Sequence, residues 1–490
     1  MPLVIDMNIT LILGTFFSKI TLLLGLFLSK ITLILCMFKR KVLAELNKWS
    51  EKSNRKPLVL RGARQVGKTT VVNQFAEKFE QYIYLNLEIE SDRKPFDTYT
   101  TIDTLIQSLF LLRNLKYANR KNTLIFIDEI QEVPGAFNIL RYFYEEFPEI
   151  RVIAAGSLLE TIFNRGMSFP VGRVEFLVIR PVSFHEFLGA TDEIAALEQL
   201  EHLPVKEFAH DRLMELFHTY AIIGGMPEVV REYATNKDLT ALGPIYELLI
   251  ASYIDDVEKY ARNDSLLRII QHCIRVSFTE AGKRIKFQNF GRSNYNSKEA
   301  GEALRTLEKT FLLSLIYPTV STTLPLMPDY KKSPRLQILD TGMINYFLGV
   351  QGELLGTDDL SSMYQGTIIE HLTGQEILAE RFNILSSLNF WVREKNSSTA
   401  EVDYVYTYEG KLIPIEVKSG KEGTLRSLHL FMDEANHPFA VRVYGGTLMV
   451  TDVTTAAGKN YKLLNLPYYL MSQLDAYLDL FTKDKAIIPS

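Results

Sequence analysis

The sequence predicts an α/β protein: a parallel sheet with helices on both faces, a helical lid behind it, and a second, smaller strand-rich body. Three observations carry this. Short apolar runs alternate with amphipathic, helix-length segments from 57 to 183, the rhythm of a covered parallel sheet. Strand patterns vanish from 184 to about 272. They return after 335 in LQILD, LNFWVRE, EVDYVYTYEG, LIPIEVKSG and FAVRVYGG.

Each element has its own signal. Residues 37–56 read as a basic helix with Leu43, Leu46 and Trp49 on one face. PLVLRG at 57–62 is a strand that stops at glycine, and TTVVNQFAEKF is the helix after it. YIYLNLE (82–88), TLIFIDEI (123–130), RVIAAGS (151–157) and VEFLVIRPVS (174–183) supply four more strands. Helices at 100–118 and 138–147 separate them. Thus 37–183 reads as the sheet domain and 184–272 as the lid. Residues 273–318 hold short helices ending in the apolar run FLLSLIYP. Pro325, Pro328 and Pro334 mark 319–334 as a linker, with 335–460 as the last body and 461–490 as a tail.

Composition narrows the classes. At about 150 residues per domain, 490 residues suggest about three domains. An apolar share of 47% with 23% charged residues excludes bulk disorder. Lys and Arg number 54 against 58 Asp and Glu, a net charge of −4. That excludes a wholly basic nucleic-acid coat protein but leaves room for a local basic face. Cys36 and Cys273 are the only cysteines, so a disulfide framework and a cysteine-ligated zinc are excluded. A reducing, cytoplasmic location fits.

The amino terminus stands apart. MNITLILGTFF, SKITLLLGLFL and SKITLILCMFK repeat one 11-residue unit three times over 7–39. The stretch is long enough to span a bilayer, although Lys19 and Lys30 would each cost about 2.5–3.5 kcal/mol there. The copies lack the polar face of a soluble supercoil. Met37 opens a soluble sequence, so 1–36 reads as upstream sequence translated from a start chosen too early. The competing reading is a membrane or interfacial anchor. No basic n-region or small-residue cleavage site supports a signal peptide.

The chemistry begins at Gly62-Ala63-Arg64-Gln65-Val66-Gly67-Lys68-Thr69-Thr70, which contains GxxxxGK[ST] between a strand and a helix. The glycines let backbone amides turn toward phosphate oxygens. Lys68 brings charge to the β- and γ-phosphates, and Thr69 offers a hydroxyl to Mg²⁺. Leu124–Glu129 then forms an apolar strand ending in two carboxylates. Asp128 is expected to hold Mg²⁺ and Glu129 to orient or deprotonate the attacking water. Together they predict a P-loop NTPase that binds and hydrolyses ATP. Ser157 ends the next strand, where it serves either as a γ-phosphate sensor or as a helix cap. Arg173 is either an arginine finger for a neighbouring subunit, which requires self-association, or a surface loop residue. Pro227, in Gly225-Met226-Pro227, either presses on the base or ends a helix.

LRGARQVGKTT, FIDEIQEVP, the AAGS strand end, the later GR and GGMPEVV together resemble a widespread family of prokaryotic AAA-type ATPases. Its carboxy-terminal domain of unknown function is related to PD-(D/E)xK nucleases. The resemblance runs from about Met37 to about residue 450. Members usually have two serines where this chain has Ser157 and Leu158. The resemblance implies that Arg173 and the GGMP turn belong to the nucleotide machinery. It also implies a winged helix over 273–318, with Ser297 capping a recognition helix. Seven Lys/Arg against four Asp/Glu in 277–318 give a net +3. Arg292, Lys298 and Arg305 are its candidate DNA-phosphate contacts. A packing module that touches no nucleic acid is the competing reading.

Glu416 and Lys418 lie at i and i+2 of the strand IPIEVKSG and so share a face. A hairpin through Tyr408–Lys411 would bring Asp403 beside them. Two carboxylates suit a divalent metal, Mg²⁺ or Mn²⁺, and the lysine suits water activation at a phosphodiester. Glu370 matches the family's amino-terminal acidic position and would complete the metal shell. Two expectations compete. One is an ATP-driven protein whose last domain binds metal and DNA, and the other is a regulatory ATPase whose last domain binds a partner without catalysis.

Overall fold

A computed structural model describes residues 39–99, 101–156, 172–352, 367–395, 398–418 and 425–483. The repeat at 1–36 and Ser157 fall outside them. Five strands, β1 (Leu58–Arg61), β2 (Gln81–Asn86), β3 (Thr123–Asp128), β4 (Arg151–Ala155) and β5 (Glu175–Val178), form a parallel sheet ordered β2-β3-β4-β1-β5. Side chains alternate across a strand, and two cores record it. Leu58, Leu60, Leu124, Phe126, Ile153 and Ala155 pack on one face, whereas Val59, Ile125, Ile127, Val152 and Ala154 pack on the other. The helix Lys68–Ala76 covers the first face, and Ile102–Leu112 with Pro134–Glu146 cover the second. Each large apolar side chain so buried stabilises the fold by about 1.5–3 kcal/mol.

β5 is shorter than the run 174–183 suggests. One last bond to β1 follows, Ile179 N–H to Arg61 O at 2.7 Å, and the pairing stops before Pro181, which has no amide to donate. Val182 N–H donates instead to Gly225 O at 2.7 Å, so this stretch supports the lid turn. The lid's first helix, Phe184–Ala190, starts at a capping box between Ser183 and Glu186.

The boundary expected at 272/273 falls inside one helix, Asp264–Thr279, with Cys273 buried at its middle. Helix Ser297–Lys309 packs beside it, capped by Asn296 and not by Ser297. Asn296 Oδ1 accepts from the amides of Lys298 and Glu299, and Glu299 returns a bond to Asn296 N–H. Asn at this position caps as well as Ser does, so the neighbouring residue misled the reading.

Strands β6 (Leu313–Thr319), β7 (Arg335–Ile338), β8 (Asn389–Lys395) and β9 (Ser398–Val402) make a sheet ordered β7-β6-β8-β9. The 319–334 segment therefore joins two paired strands and does not separate bodies; Asp329 N–H even donates to Pro318 O at 2.7 Å. Prolines mark turns, and turns join neighbouring strands as readily as domains. β10 (Tyr404–Tyr408), β11 (Lys411–Val417), β12 (Phe439–Tyr444), β13 (Met449–Thr454) and β14 (Asn460–Pro467) make a mixed sheet ordered β10-β11-β12-β14-β13. The 461–490 segment, expected to be a tail, supplies most of β14, an interior strand, and the helix Leu474–Thr482. Its apolar alternation buries Leu464 and Leu466 completely. Among the described residues no helix is long and apolar enough to cross a membrane.

Candidate functional site

The loop after β1 is shaped by its glycines. Gly62 has φ +143°, and a Cβ there would lie 2.2 Å from Ile179 O. Gly67 has φ +88° and precedes the helix Lys68–Ala76, whose amino-terminal amides favour anions. A cavity of about 720 Å³ opens above it, lined by Gln65, Gly67, Lys68, Thr69, Thr70 and both β3 carboxylates. Ala63 and Val66 are buried beneath the loop as packing residues. Arg64 reaches the cavity edge and ion-pairs with Asp256 of the lid helix Gly243–Asp256.

Lys68 is buried, with Nζ donating to Gly62 O at 3.1 Å and Ala63 O at 2.8 Å. Desolvation pushes its ammonium down to about 8, against the pull of Glu129 and Asp128. A phosphate would supply the missing counter-charge. Thr69 Oγ1 donates to Asp128 Oδ2 at 2.7 Å. Burial raises the Asp128 carboxyl above its ordinary value, with Thr69 opposing the shift. Two adjacent hard oxygens on a desolvated acid fit Mg²⁺. Glu129 adopts φ +50° at the strand end, and its Oε2 accepts from Gln131 Nε2 at 2.5 Å.

Pro227 lines the same cavity, and a Cβ on Gly67 would meet its Cγ at 3.7 Å. Seven lining residues escaped the sequence reading, among them Arg40, Glu228 and Arg231. Arg40 is buried under the loop, donating to Val66 O at 3.2 Å, Arg180 O at 2.6 Å and Glu186 Oε1 at 3.0 Å. Nothing in its basic run set it apart. Glu228 and Arg231 flank the cavity on the Pro227 helix. Arg231 follows Pro227 by four residues, a spacing that does signal a shared helix face.

Arg173 is not brought to this cavity. It precedes β5, whose amino end is opposite the loop end of its parallel neighbour β1. Its Nε donates to Glu145 Oε1 at 2.8 Å, and it is 44% exposed, so it faces outward.

The carboxy-terminal residues do converge. Tyr404 pairs with Ile415 across the hairpin, placing Asp403 beside Glu416. Asp403 Oδ2 accepts from Val417 N–H at 2.7 Å, and Lys418 Nζ donates to Glu416 Oε1 at 2.6 Å. Burial first and Asp403 second push the Glu416 carboxyl up to about 8. Glu370 has a different partner from the one expected: it ion-pairs with Arg335 of β7. Among the described residues no group of three or more His, Cys, Asp or Glu side chains is arranged to hold a metal ion.

Residues 54–188 match the AAA domain. Residues 214–354 and 365–469 match two domains of unknown function, DUF8612 and DUF4143. No curated protein matches the sequence. Among solved structures, a Walker-type ATPase of Pyrococcus abyssi is similar at 14% identity and a TM-score of 0.40, over 64% of this chain and 96% of that one. The ORC1 protein of Aeropyrum pernix, solved in complex with DNA, is similar at 13% identity and a TM-score of 0.23, over 64% and 94%. The domain match and the loop and strand geometry together make residues 54–188 an AAA-type P-loop ATPase domain.

Proposed function

We propose that this protein is an ATP-driven switch in which the nucleotide cavity controls what the carboxy-terminal domain binds. The observation that carries the reading is a buried polar network linking the two. Asp340, fully buried after β7, accepts from Gly225 N–H at 2.6 Å and Met343 N–H at 3.1 Å. Gly225 opens the turn into Pro227, at the cavity wall. Gln375 Nε2 donates to Asp340 Oδ2 at 3.3 Å from the helix Thr367–Ala379. Beside it Glu376 accepts from Tyr220 O–H at 2.6 Å and from Phe184 N–H. Nucleotide that displaces the turn would therefore displace that helix, which also carries Glu370.

In this reading Lys68 and the amides of 62–70 hold the phosphates, Thr69 and Asp128 hold Mg²⁺, and Glu129 takes the proton of the attacking water. Bound Mg²⁺ supplies neutralisation of phosphate charge. The order helix, four strands, helix, strand from 367 to 444 supports the nuclease-like reading of the last domain. Exposed Arg292, Lys298 and Arg305 around the helix Ser297–Lys309 support a winged-helix face for DNA. The opposing Glu308 is turned inward to accept from Leu315 N–H at 2.8 Å.

Hydrogen–deuterium exchange tests the coupling. In Glu129→Gln protein, ATP is expected to change exchange in 335–345 and 367–379 as well as in the loop. Asp340→Asn, which replaces one acceptor oxygen with a donor facing Gly225 N–H, is expected to remove the distant change and leave ATP bound. Changes confined to the loop in the parent protein would sink the coupling. If DNA accelerates ATP turnover, the partner is nucleic acid.

Arg173 is expected to act across a subunit boundary. Mixing Arg173→Ala with Lys68→Ala protein should restore part of the turnover that each lacks alone, since one supplies the loop and the other the finger. Absence of recovery in proven mixed assemblies would assign Arg173 to its Glu145 ion pair alone.

A further inference from the structure

We infer that Arg335 is the built-in cation of the carboxy-terminal acidic centre and stands where a divalent metal would otherwise sit. Four carboxylates converge there from separate elements: Glu370 from the helix Thr367–Ala379, Glu401 from β9, Asp403 from the junction of β9 and β10, and Glu416 from β11. Arg335, at the start of β7, is 4% exposed and reaches into the group. Its guanidinium ion-pairs with Glu370 and Glu401, comes within 3.8 Å of Asp403 Oδ1, and donates to Asp403 O at 3.3 Å. One face lies over the Phe390 ring at 4.8 Å. A planar fork held at its edge by carboxylates and on its face by an aromatic ring is a seat shaped for guanidinium.

Charge and geometry both work against a metal while that seat is filled. Glu370 and Glu401 are committed to Arg335, and Lys418 takes Glu416 Oε1 at 2.6 Å. A divalent ion beside Asp403 would meet two fixed positive charges in a poorly solvated space, where like charges repel strongly. Arginine cannot leave by losing its proton.

A second observation shows what the seat displaces. Glu416 is 6% exposed, and its Oε2 is buried without a hydrogen-bond partner. Asp403 and Glu416 thus retain oxygen capacity that hard cations use. With the guanidinium gone, Glu370 and Asp403 would be released toward the same space. The residues of a cation site are present, and the chain supplies the cation.

Bound Mn²⁺, counted by electron paramagnetic resonance on nucleotide-free full-length protein, tests this. The Asp128→Asn background removes the nucleotide-site signal. In that background no saturable Mn²⁺ is expected below about 1 mM, the weak end of protein cation sites. Adding Arg335→Gln is expected to create one stoichiometric site of at least ~10-fold higher affinity than that limit. Adding Asp403→Asn as well should abolish it. If Arg335→Gln does not fold, Arg335→Gln/Glu401→Gln, which removes one charge of each sign, is measured in its place. Stoichiometric Mn²⁺ in the Arg335 protein that Asp403→Asn abolishes would overturn the inference. So would a folded Arg335 variant that binds none. Neither outcome bears on ATP hydrolysis, which is read separately by phosphate release.

Discussion

Glu129→Gln protein is expected to bind ATP as wild type does and to hydrolyse it about 10²–10⁴-fold more slowly, the usual contribution of a positioned base. The amide keeps the size of the carboxylate and can still bond to Gln131, so the φ +50° turn at the end of β3 should survive. The neighbouring Thr69–Asp128 pair, at 2.7 Å, is untouched, which preserves the Mg²⁺ donors. Lys68→Ala is expected to fail earlier, at binding. Lys68 is the buried cation of the loop, and its removal leaves the phosphates facing Asp128 and Glu129 uncompensated. Fluorescent-nucleotide titration separates the two variants, and phosphate release measures turnover. Wild-type hydrolysis by Glu129→Gln would show that another group takes the proton.

What was legible in the sequence was local. The β1 loop and β3 carboxylates sit within a few residues of the turns that position them, and the residue types needed there are unusual enough to be read. The hairpin bringing Asp403 to Glu416 was legible for the same reason, since a four-residue turn sets its register. Arg335 was not. Its partners lie 35 to 68 residues away, and an arginine opening an apolar strand looks like a solvated strand end. Glu370 was assigned to the metal shell by the family resemblance, and a motif position cannot say whether the positive partner is a metal or a guanidinium. Asp340 was hidden by its setting, because an aspartate ending LQILD reads as an ordinary helix cap. It does cap the helix Thr341–Phe347, and its other oxygen holds the lid turn. β14 was lost because its partners, β12 and β13, precede it in a region whose extent the family motifs did not mark.

The largest structural penalty is expected at that lid turn. Gly225→Ala should lower stability by about 1–3 kcal/mol, the scale of forced overpacking in a rigid core. The new Cβ would lie 2.1 Å from Val182 O and 3.1 Å from Val182 N and C. These are backbone atoms, so no side chain can swing aside. Relief requires the turn to move, and it is tied on both sides: Val182 N–H donates to Gly225 O at 2.7 Å, and Gly225 N–H to Asp340 at 2.6 Å. Either bond that breaks leaves a buried polar group without a partner, at about 1–3 kcal/mol. The damage should reach the nucleotide, because Pro227 follows two residues later and lines the cavity. ATP affinity is therefore expected to fall together with the melting temperature. Gly135→Ala is the control: a Cβ there meets nothing within 4 Å. Its site in the helix Pro134–Glu146 should make alanine neutral or stabilising by about 0.5–1 kcal/mol. Calorimetry and nucleotide titration on the two variants decide the matter. Gly225→Ala protein that melts and binds ATP like wild type would mean that the turn is not held between Val182 and Asp340. The link from cavity to carboxy-terminal domain would then lose its first contact.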